Sequence, residues 1–470
     1  MPDMFKPPAQ AKAQATALKK TTNGKIPLST SGSKVVTPAK TRLSTRANFR
    51  FMDYIWISLM WVGITYLWGG INGVILPKLN EKFVTDENYK GTLLGVITAL
   101  GMVVAIVVQP AAGALSDINH SAWGRRRPYI LVGGIMVVIT LIVMATMVVY
   151  LASWWVLLVF YLLLQLFDNI VQGAYQGIIP DCVPPNRRGK ASGAMGIVQI
   201  IGNVTGLAVA TYFIDEKKPQ YALIIIALVF SAMLIPTLFT IREEPLKNDH
   251  IPRNGFKVVI GTIGELRQHP DFVKFIASRF LVLTALATLT LFGLYYLQDV
   301  MGQGEGTLTQ SYTLLGVVII GFSVASIMPA VWLSERVGRK RVVIVSCIVG
   351  AIGMLLLSTA TNMTQVIMYG SLLGVATGSF NSLDWALATD LLPPEAAGRF
   401  MGISNLAGAG SQALAALLGG GLRDGFNAIG VTYFNLPHLG YSALFVMSTF
   451  FFILGIFFLR SINDPQKYKG

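Results

Sequence analysis

Twelve apolar runs, each long enough to cross a lipid bilayer, leave this 470-residue chain few folds to choose from. They lie near 54–76, 93–115, 128–150, 155–178, 193–213, 221–241, 273–296, 311–333, 342–360, 365–389, 401–421 and 439–459. A spanning helix needs about 20 mostly apolar residues. In lipid a lone strand would leave backbone groups unpaired, and a barrel would show short alternating segments instead. Composition agrees: 53% of residues are hydrophobic and 13% charged, against about 25% charged in soluble domains. The 47 glycines suit close helix–helix approach. The expected fold class is an all-α membrane protein with twelve transmembrane helices. Two cysteines, Cys182 and Cys347, imply no disulfide framework.

The net charge of +14 could suggest nucleic acid, but its distribution points to topology. With the N-terminus inside, the loops on the outer side hold only Lys78, Lys82, Lys90, Lys217, Lys218 and Arg423, and Arg279 lies within a span. The other Lys and Arg fall in the tails and inner loops, as the positive-inside rule requires. Both termini are therefore expected in the cytoplasm, in a multi-pass protein of a bacterial inner membrane or a plasma membrane. Residues 1–50 carry ten Lys or Arg and one acid, Asp3, with no apolar run. They read as a disordered basic cytoplasmic tail, with an organelle transit peptide as the alternative, and not as a secretory signal.

One unit is used twice. "DCVPPNRRGKASG" (181–193) and "DLLPPEAAGRFMG" (390–402) repeat an acid, a Pro-Pro pair and glycines in register. "LSDINHSAWGRRRPYI" (115–130) has a shorter counterpart in "LSERVGRKR" (333–341). The repeated elements follow the second and eighth, and the fourth and tenth, predicted helices. The chain thus divides into a tail (1–50), a six-helix unit (51–241), a cytoplasmic linker (242–272), a second six-helix unit (273–460) and a short tail (461–470). Duplicated parallel six-helix halves resemble the major facilitator superfamily. More narrowly, "QPAAGALSDINHSAWGRRRPYI" (109–130) and "DNIVQGAYQGIIPD" (168–181) resemble the sucrose–proton symporters, relatives of the glycoside–pentoside–hexuronide:cation symporters.

The resemblance implies a latch. Asp117 ends the second helix, Gly113 leaves room for a neighbouring backbone, and an acid there suits the positive N-terminus of another helix. In the resembling family that partner is the eleventh helix, here starting near Gly402. Asp117, Gly124, Arg125 and Arg126 would form the latch, with Glu335, Gly338 and Arg339 as its weaker copy. Topology and loop geometry alone could also account for these residues.

Ionisable side chains inside spans are costly and are expected to face a cavity or a partner. Three qualify: Asp168, Arg279 and Asp384, the candidates for proton coupling. The fourth helix carries Gln165, Asp168, Asn169, Gln172 and Gln176 at helical spacing along one stripe. Trp68 and Asn72, Gln199 and Asn203, Asn381 and Trp385, and Asn405 and Gln412 add amides and aromatic faces from four other helices. Amides offer donors and acceptors and rings offer flat apolar platforms, a mix suited to a neutral polyol. Interhelical bonding or packing would explain many of the same residues. Plant sucrose carriers have an Asp and an Arg where this chain has Gln165 and Gln176. Asp168, one turn from Gln165, is the acid placed to bind and release a proton.

The expected function is secondary active transport: proton-coupled symport of a sugar or glycoside by alternating access. Alternatives are an exporter of other small molecules and a non-transporting membrane sensor. A sodium gradient is the alternative to a proton gradient, and no cofactor is implied. The partners are a small solute and the lipid bilayer, with no nucleic acid, and the protein is expected to be a monomer. An enzyme is disfavoured. His120, His250, His269 and His438 all lie outside the spans, leaving no buried His for a metal or a nucleophile pair, and no phosphate-binding G-x-x-x-x-G-K-[ST] is present. Tags at residue 30, within 242–272 and at the C-terminus are all expected to be shielded from impermeant reagents in intact cells. Labelling of any one from outside would break the two-unit topology.

Overall fold

A computed structural model describes residues 51–150, 153–178, 183, 188–240, 269–391 and 397–462. The basic tail, most of the linker, the loops at 184–187 and 392–396, and the last eight residues lie outside that description. So do some side chains within helices, including those of Trp385 and of residues 401–406.

Among the described residues twelve long helices follow in order. α1 runs through Phe51–Gly70, a π-helical turn at Ile71–Ile75, and Leu76–Phe83. Then come α2 (Lys90–Asp117), α3 (Arg127–Tyr150), α4 (Trp154–Gln176), α5 (Arg188–Asp215) and α6 (Pro219–Thr240). The second set is α7 (Pro270–Asp299), α8 (Glu305–Val337), α9 (Arg339–Leu357), α10 (Met363–Asp390), α11 (Ala397–Ile429) and α12 (Leu439–Arg460). Eleven of them are long and apolar enough to cross a membrane, and the chain is an integral, multi-pass membrane protein. The other, α11, is as long but diluted by glycines and polar residues, as in "GAGSQALAALLGGGLRDG". Each expected span corresponds to a helix, but several helices outrun their apolar runs by one or two turns. α7 begins at Pro270, inside the expected linker.

The two sets repeat one packing plan. α1 packs on α5 and α6, α2 on α4, and α3 on α4 and α6; α7 packs on α11 and α12, α8 on α10, and α9 on α10 and α12. Glycines make the closest seams possible. A Cβ on Gly173 of α4 would overlap the Gln109 carbonyl of α2, and one on Gly378 of α10 the Ser323 carbonyl of α8. Gly206 of α5 stands in the same relation to the Tyr66 carbonyl of α1. In lipid, helices associate through this close packing because the tails are as apolar as the side chains.

The loops between α2 and α3, and between α8 and α9, share a backbone device. Gly124 has φ 106° and Gly338 φ 95°, a region that L side chains rarely adopt. The arginine that follows each turn reaches a carbonyl on the fourth helix of its set: Arg126 Nη1 to Ala174 O at 3.1 Å, and Arg339 Nη1 to Ala386 O at 3.1 Å.

Introducing a side chain at a helix seam should be costly, since overpacking typically destabilises by about 1–3 kcal/mol. Gly173→Val is expected to lower the thermal midpoint of the detergent-solubilised protein. Gly193→Ala, where a Cβ meets nothing within 4 Å, is expected to leave it unchanged. Equal midpoints would mean that α2 and α4 can separate freely.

Candidate functional site

The polar stripe of α4 divides into two groups. Gln165 and Asn169 are buried and satisfy one another: Asn169 Nδ2 donates to Gln165 Oε1 at 2.9 Å. Gln165 Nε2 donates to the Tyr161 hydroxyl at 3.1 Å, and that hydroxyl donates to Asn72 Oδ1 at 3.1 Å. Asn72 sits in the π-helical turn of α1, a local widening often found at functional positions. This chain of amides ties α1 to α4.

The second group surrounds Asp168, which is fully buried. Trp68 Nε1 donates to its Oδ2 at 2.6 Å, and Gln172 Nε2 donates to the same oxygen. Its Oδ1 has no hydrogen-bond partner. Trp68 also meets Tyr161 edge-on, with ring centroids 6.0 Å apart. Both groups that bond Asp168 are neutral.

The other two ionisable side chains within spans form a pair: Arg279 of α7 bonds Asp384 of α10, and both are buried. Arg279 therefore belongs to Asp384. Of the remaining candidates, Gln199 is half-buried, and Gln176, Asn203, Asn381 and Gln412 are exposed. The side chains of Trp385 and Asn405 lie outside the described residues.

Asp117 pairs at 2.6 Å with Arg126, one of the two arginines expected in the latch. Gly177, at the end of α4, leaves room for the Arg126 guanidinium, which a Cβ there would overlap. In the second copy Glu335 is exposed, and Arg339 reaches Asp390 at 2.7 Å. A Cβ on Gly113 would lie 3.2 Å from the Gly173 carbonyl.

A cluster that sequence reading passed over lies at the opposite end, where α1, α7 and α11 finish and α2 begins. Lys90, only 2% exposed, has its Nζ 3.2 Å from Glu81 Oε1 and 3.4 Å from Asp299 Oδ1. Arg423 bonds Asp299 at 2.8 Å and Asp424 at 2.7 Å. The Asp424 carboxylate accepts from the backbone N–H groups of Gly91 (3.1 Å) and Thr92 (2.6 Å) in the first turn of α2. Tyr295 of α7 donates to the Pro77 carbonyl at 2.6 Å, and Gln298 donates to Glu81 at 2.6 Å. Beneath these bonds α2 and α11 touch through glycine: a Cβ on Gly95 would overlap the Ala416 carbonyl, and one on Gly420 the Gly91 carbonyl. Charges, a helix N-terminus and bare backbone thus bind the first six helices to the last six. One signal could have found the cluster. Lys78, Lys90 and Arg423 are three of the few bases on the wrong side of the charge rule, and Glu81, Asp299 and Asp424 lie beside them at helix ends.

An acid at a partly buried helix N-terminus contributes up to about 2 kcal/mol, and removing one member of a buried ion pair costs about 3–5 kcal/mol. Asp424→Ala is expected to loosen this end. A cysteine placed at Ala416 should then react at least about tenfold faster with an impermeant maleimide added from that side. An unchanged rate would assign closure to the glycine seam alone.

A family model described as the Major Facilitator Superfamily matches residues 58–328 and 310–470. Sucrose transport protein SUC3 of Arabidopsis thaliana is 31% identical over 126 residues, 23% of this chain and 21% of that protein. Multidrug resistance protein 3 of Bacillus subtilis (strain 168) is 30% identical over 115 residues, 24% of this chain and 22% of that one. The chain thus matches about a fifth of the length of these curated relatives. Among solved structures, the D-xylose-proton symporter superposes with a TM-score of 0.64 at 16% identity, covering 86% of this chain and 97% of that one. A bacterial homolog of the human lysosomal transporter Spinster, in an inward-facing and occupied conformation, gives 0.66 at 13% identity, covering 87% and 95%. These likenesses are of fold.

Proposed function

Because the chain belongs to the major facilitator superfamily, whose members here are transporters and not enzymes, we propose that it is a proton-coupled symporter of a sugar or glycoside. The observation that carries this reading is the different company of its two buried acids. Removing the charge of Asp384 would leave Arg279 buried without its partner, a strongly unfavourable change. Removing the charge of Asp168 leaves no such remnant, because Trp68 and Gln172 are neutral. Asp168 is therefore the acid that can gain and lose a proton during a cycle, and the Arg279–Asp384 pair is a fixed feature of the second six helices.

The partial match to sucrose transport proteins supports a sugar as solute. So do the amides and tryptophans near the middle of the helices. With the basic tail in the cytoplasm, the charged cluster of Lys90, Asp299, Arg423 and Asp424 closes the outer end. This is the inward-facing stage of an alternating-access cycle, in which two six-helix units rock about a midplane site. The exposed Gln176, Asn203, Asn381 and Gln412 are then candidates for the wall of a cavity reached from the cytoplasm. The proton gradient is the driving force, and the protein works as a monomer. The Bacillus relative's name favours a second reading, export of drug-like solutes, which would not require hydroxyl recognition.

Reconstituted protein should accumulate radiolabelled sucrose or D-xylose when an inward proton gradient is imposed, and not with sodium alone. Extrusion of ethidium without sugar uptake would support the exporter. On the symport reading Asp168→Asn abolishes accumulation against a gradient while exchange between equal pools persists. Continued accumulation by Asp168→Asn would remove Asp168 from the coupling step.

A further inference from the structure

The bonds around Asp168 are one-sided. Two N–H donors, Trp68 Nε1 at 2.6 Å and Gln172 Nε2, converge on Oδ2, while Oδ1 is buried with no partner. An indole N–H is a donor only, and the amide nitrogen of Gln is likewise a donor only. Neither group can therefore accept a proton from the acid, and neither bond has to break when the acid becomes neutral. Oδ2 accepts in both charge states: as a carboxylate oxygen when Asp168 is ionised, and as the carbonyl oxygen of the acid when it is not.

Resting on the reading of Asp168 as the coupling acid, we propose that Trp68 and Gln172 are positioning residues that clamp Oδ2 and assign the transported proton to Oδ1. In the step itself a proton from water bonds to an Oδ1 lone pair, leaving hydroxide or a neutral water according to its donor. The reverse step returns it to water, and nothing is oxidised or reduced. Clamping one oxygen also fixes the plane of the carboxyl, so that the unpartnered oxygen keeps one direction through the cycle. Trp68 comes from α1 and Gln172 from α4. The edge-on contact of Trp68 with Tyr161 holds the indole, and the amide chain from Asn72 through Tyr161 to Gln165 holds α1 against α4 beside it.

The other ionisable groups on the helices around α4 are placed elsewhere. Lys90 and Asp117 are at the two ends of α2, Arg127 opens α3, Asp53 is near the start of α1, and Lys78, Glu81 and Lys82 are near its end; Tyr66 of α1 is not among the groups acting on Asp168. On α4 itself the Tyr161 hydroxyl donates to Asn72, and the Tyr175 hydroxyl to the Ile57 carbonyl. Trp68 and Gln172 are the polar partners that act on Asp168, and no charged side chain among the described residues is one.

The test is an infrared pH titration of the purified full chain, which requires no solute. Wild type minus Asp168→Asn should isolate one carboxyl C=O band, at the low-frequency end for protonated acids, because that carbonyl accepts two hydrogen bonds. Absence of the band would overturn the reading of Asp168 as a titrating acid. A band at the high-frequency end would leave that reading intact and overturn the clamp. Trp68→Phe keeps a ring and removes the N–H. Gln172→Met keeps the length and removes the amide. Each should raise the band's frequency and move its titration midpoint to higher pH by about one unit, since the ionised form loses a donor. A band unmoved in both variants would reject the assignment. If neither variant folds, the position of the wild-type band decides alone.

Discussion

The carboxylate of Asp424 on the first turn of α2 is the contact on which this arrangement depends. It satisfies two N–H groups that a helix start leaves open, meets the positive end of the α2 dipole, and is held in place by Arg423. Arg423 in turn bonds Asp299 of α7, which lies within reach of Lys90 at the start of α2. The circuit closes on itself, each charge having an opposite neighbour, so Lys90 and Arg423 can be buried without an uncompensated charge. The glycine seam below it requires no side chain to move aside.

The same physical device was anticipated at the other end with the roles exchanged. There an acid of α2, Asp117, was expected to face the start of α11; here an acid near the end of α11 faces the start of α2. In a chain built from two parallel copies, α2 and α11 run alongside each other, so either end can bring a carboxylate to a helix N-terminus. A transporter that closes its two ends in turn has a use for both contacts. At its own end Asp117 pairs with Arg126 in this structure.

Between the ends, identical side-chain chemistry takes two forms. Asp384 is matched by a buried arginine and Asp168 by two neutral donors. The local sequence gives little to separate them: each lies within a membrane-spanning helix with an amide close by, Asn169 beside Asp168 and Asn381 three residues before Asp384. The stripe on α4 was legible because helical spacing alone places Gln165, Asp168, Asn169 and Gln172 on one side. Its division into a self-satisfied amide chain and an acid with one open oxygen was not legible, because Tyr161 and Trp68 decide it, and they are brought in by the packing of α1.

What the sequence by itself determined is local. The length and apolarity of each run made the helices, and the repeated motifs at Asp181 and Asp390 and the glycine turns at Gly124 and Gly338 declared a duplicated unit. These follow from short-range constraints: backbone groups must be satisfied in lipid, and a left-handed turn favours glycine. Tertiary structure alone decided the partners. Gly91 and Asp424 are 333 positions apart, and Lys90 and Asp299 are 209 apart. Their pairing depends on which helix lies beside which, and on helices that continue a turn or two past their apolar cores. A charge just beyond an apolar run reads as loop from composition. Only neighbours from the rest of the chain turn it into a buried half of an ion pair.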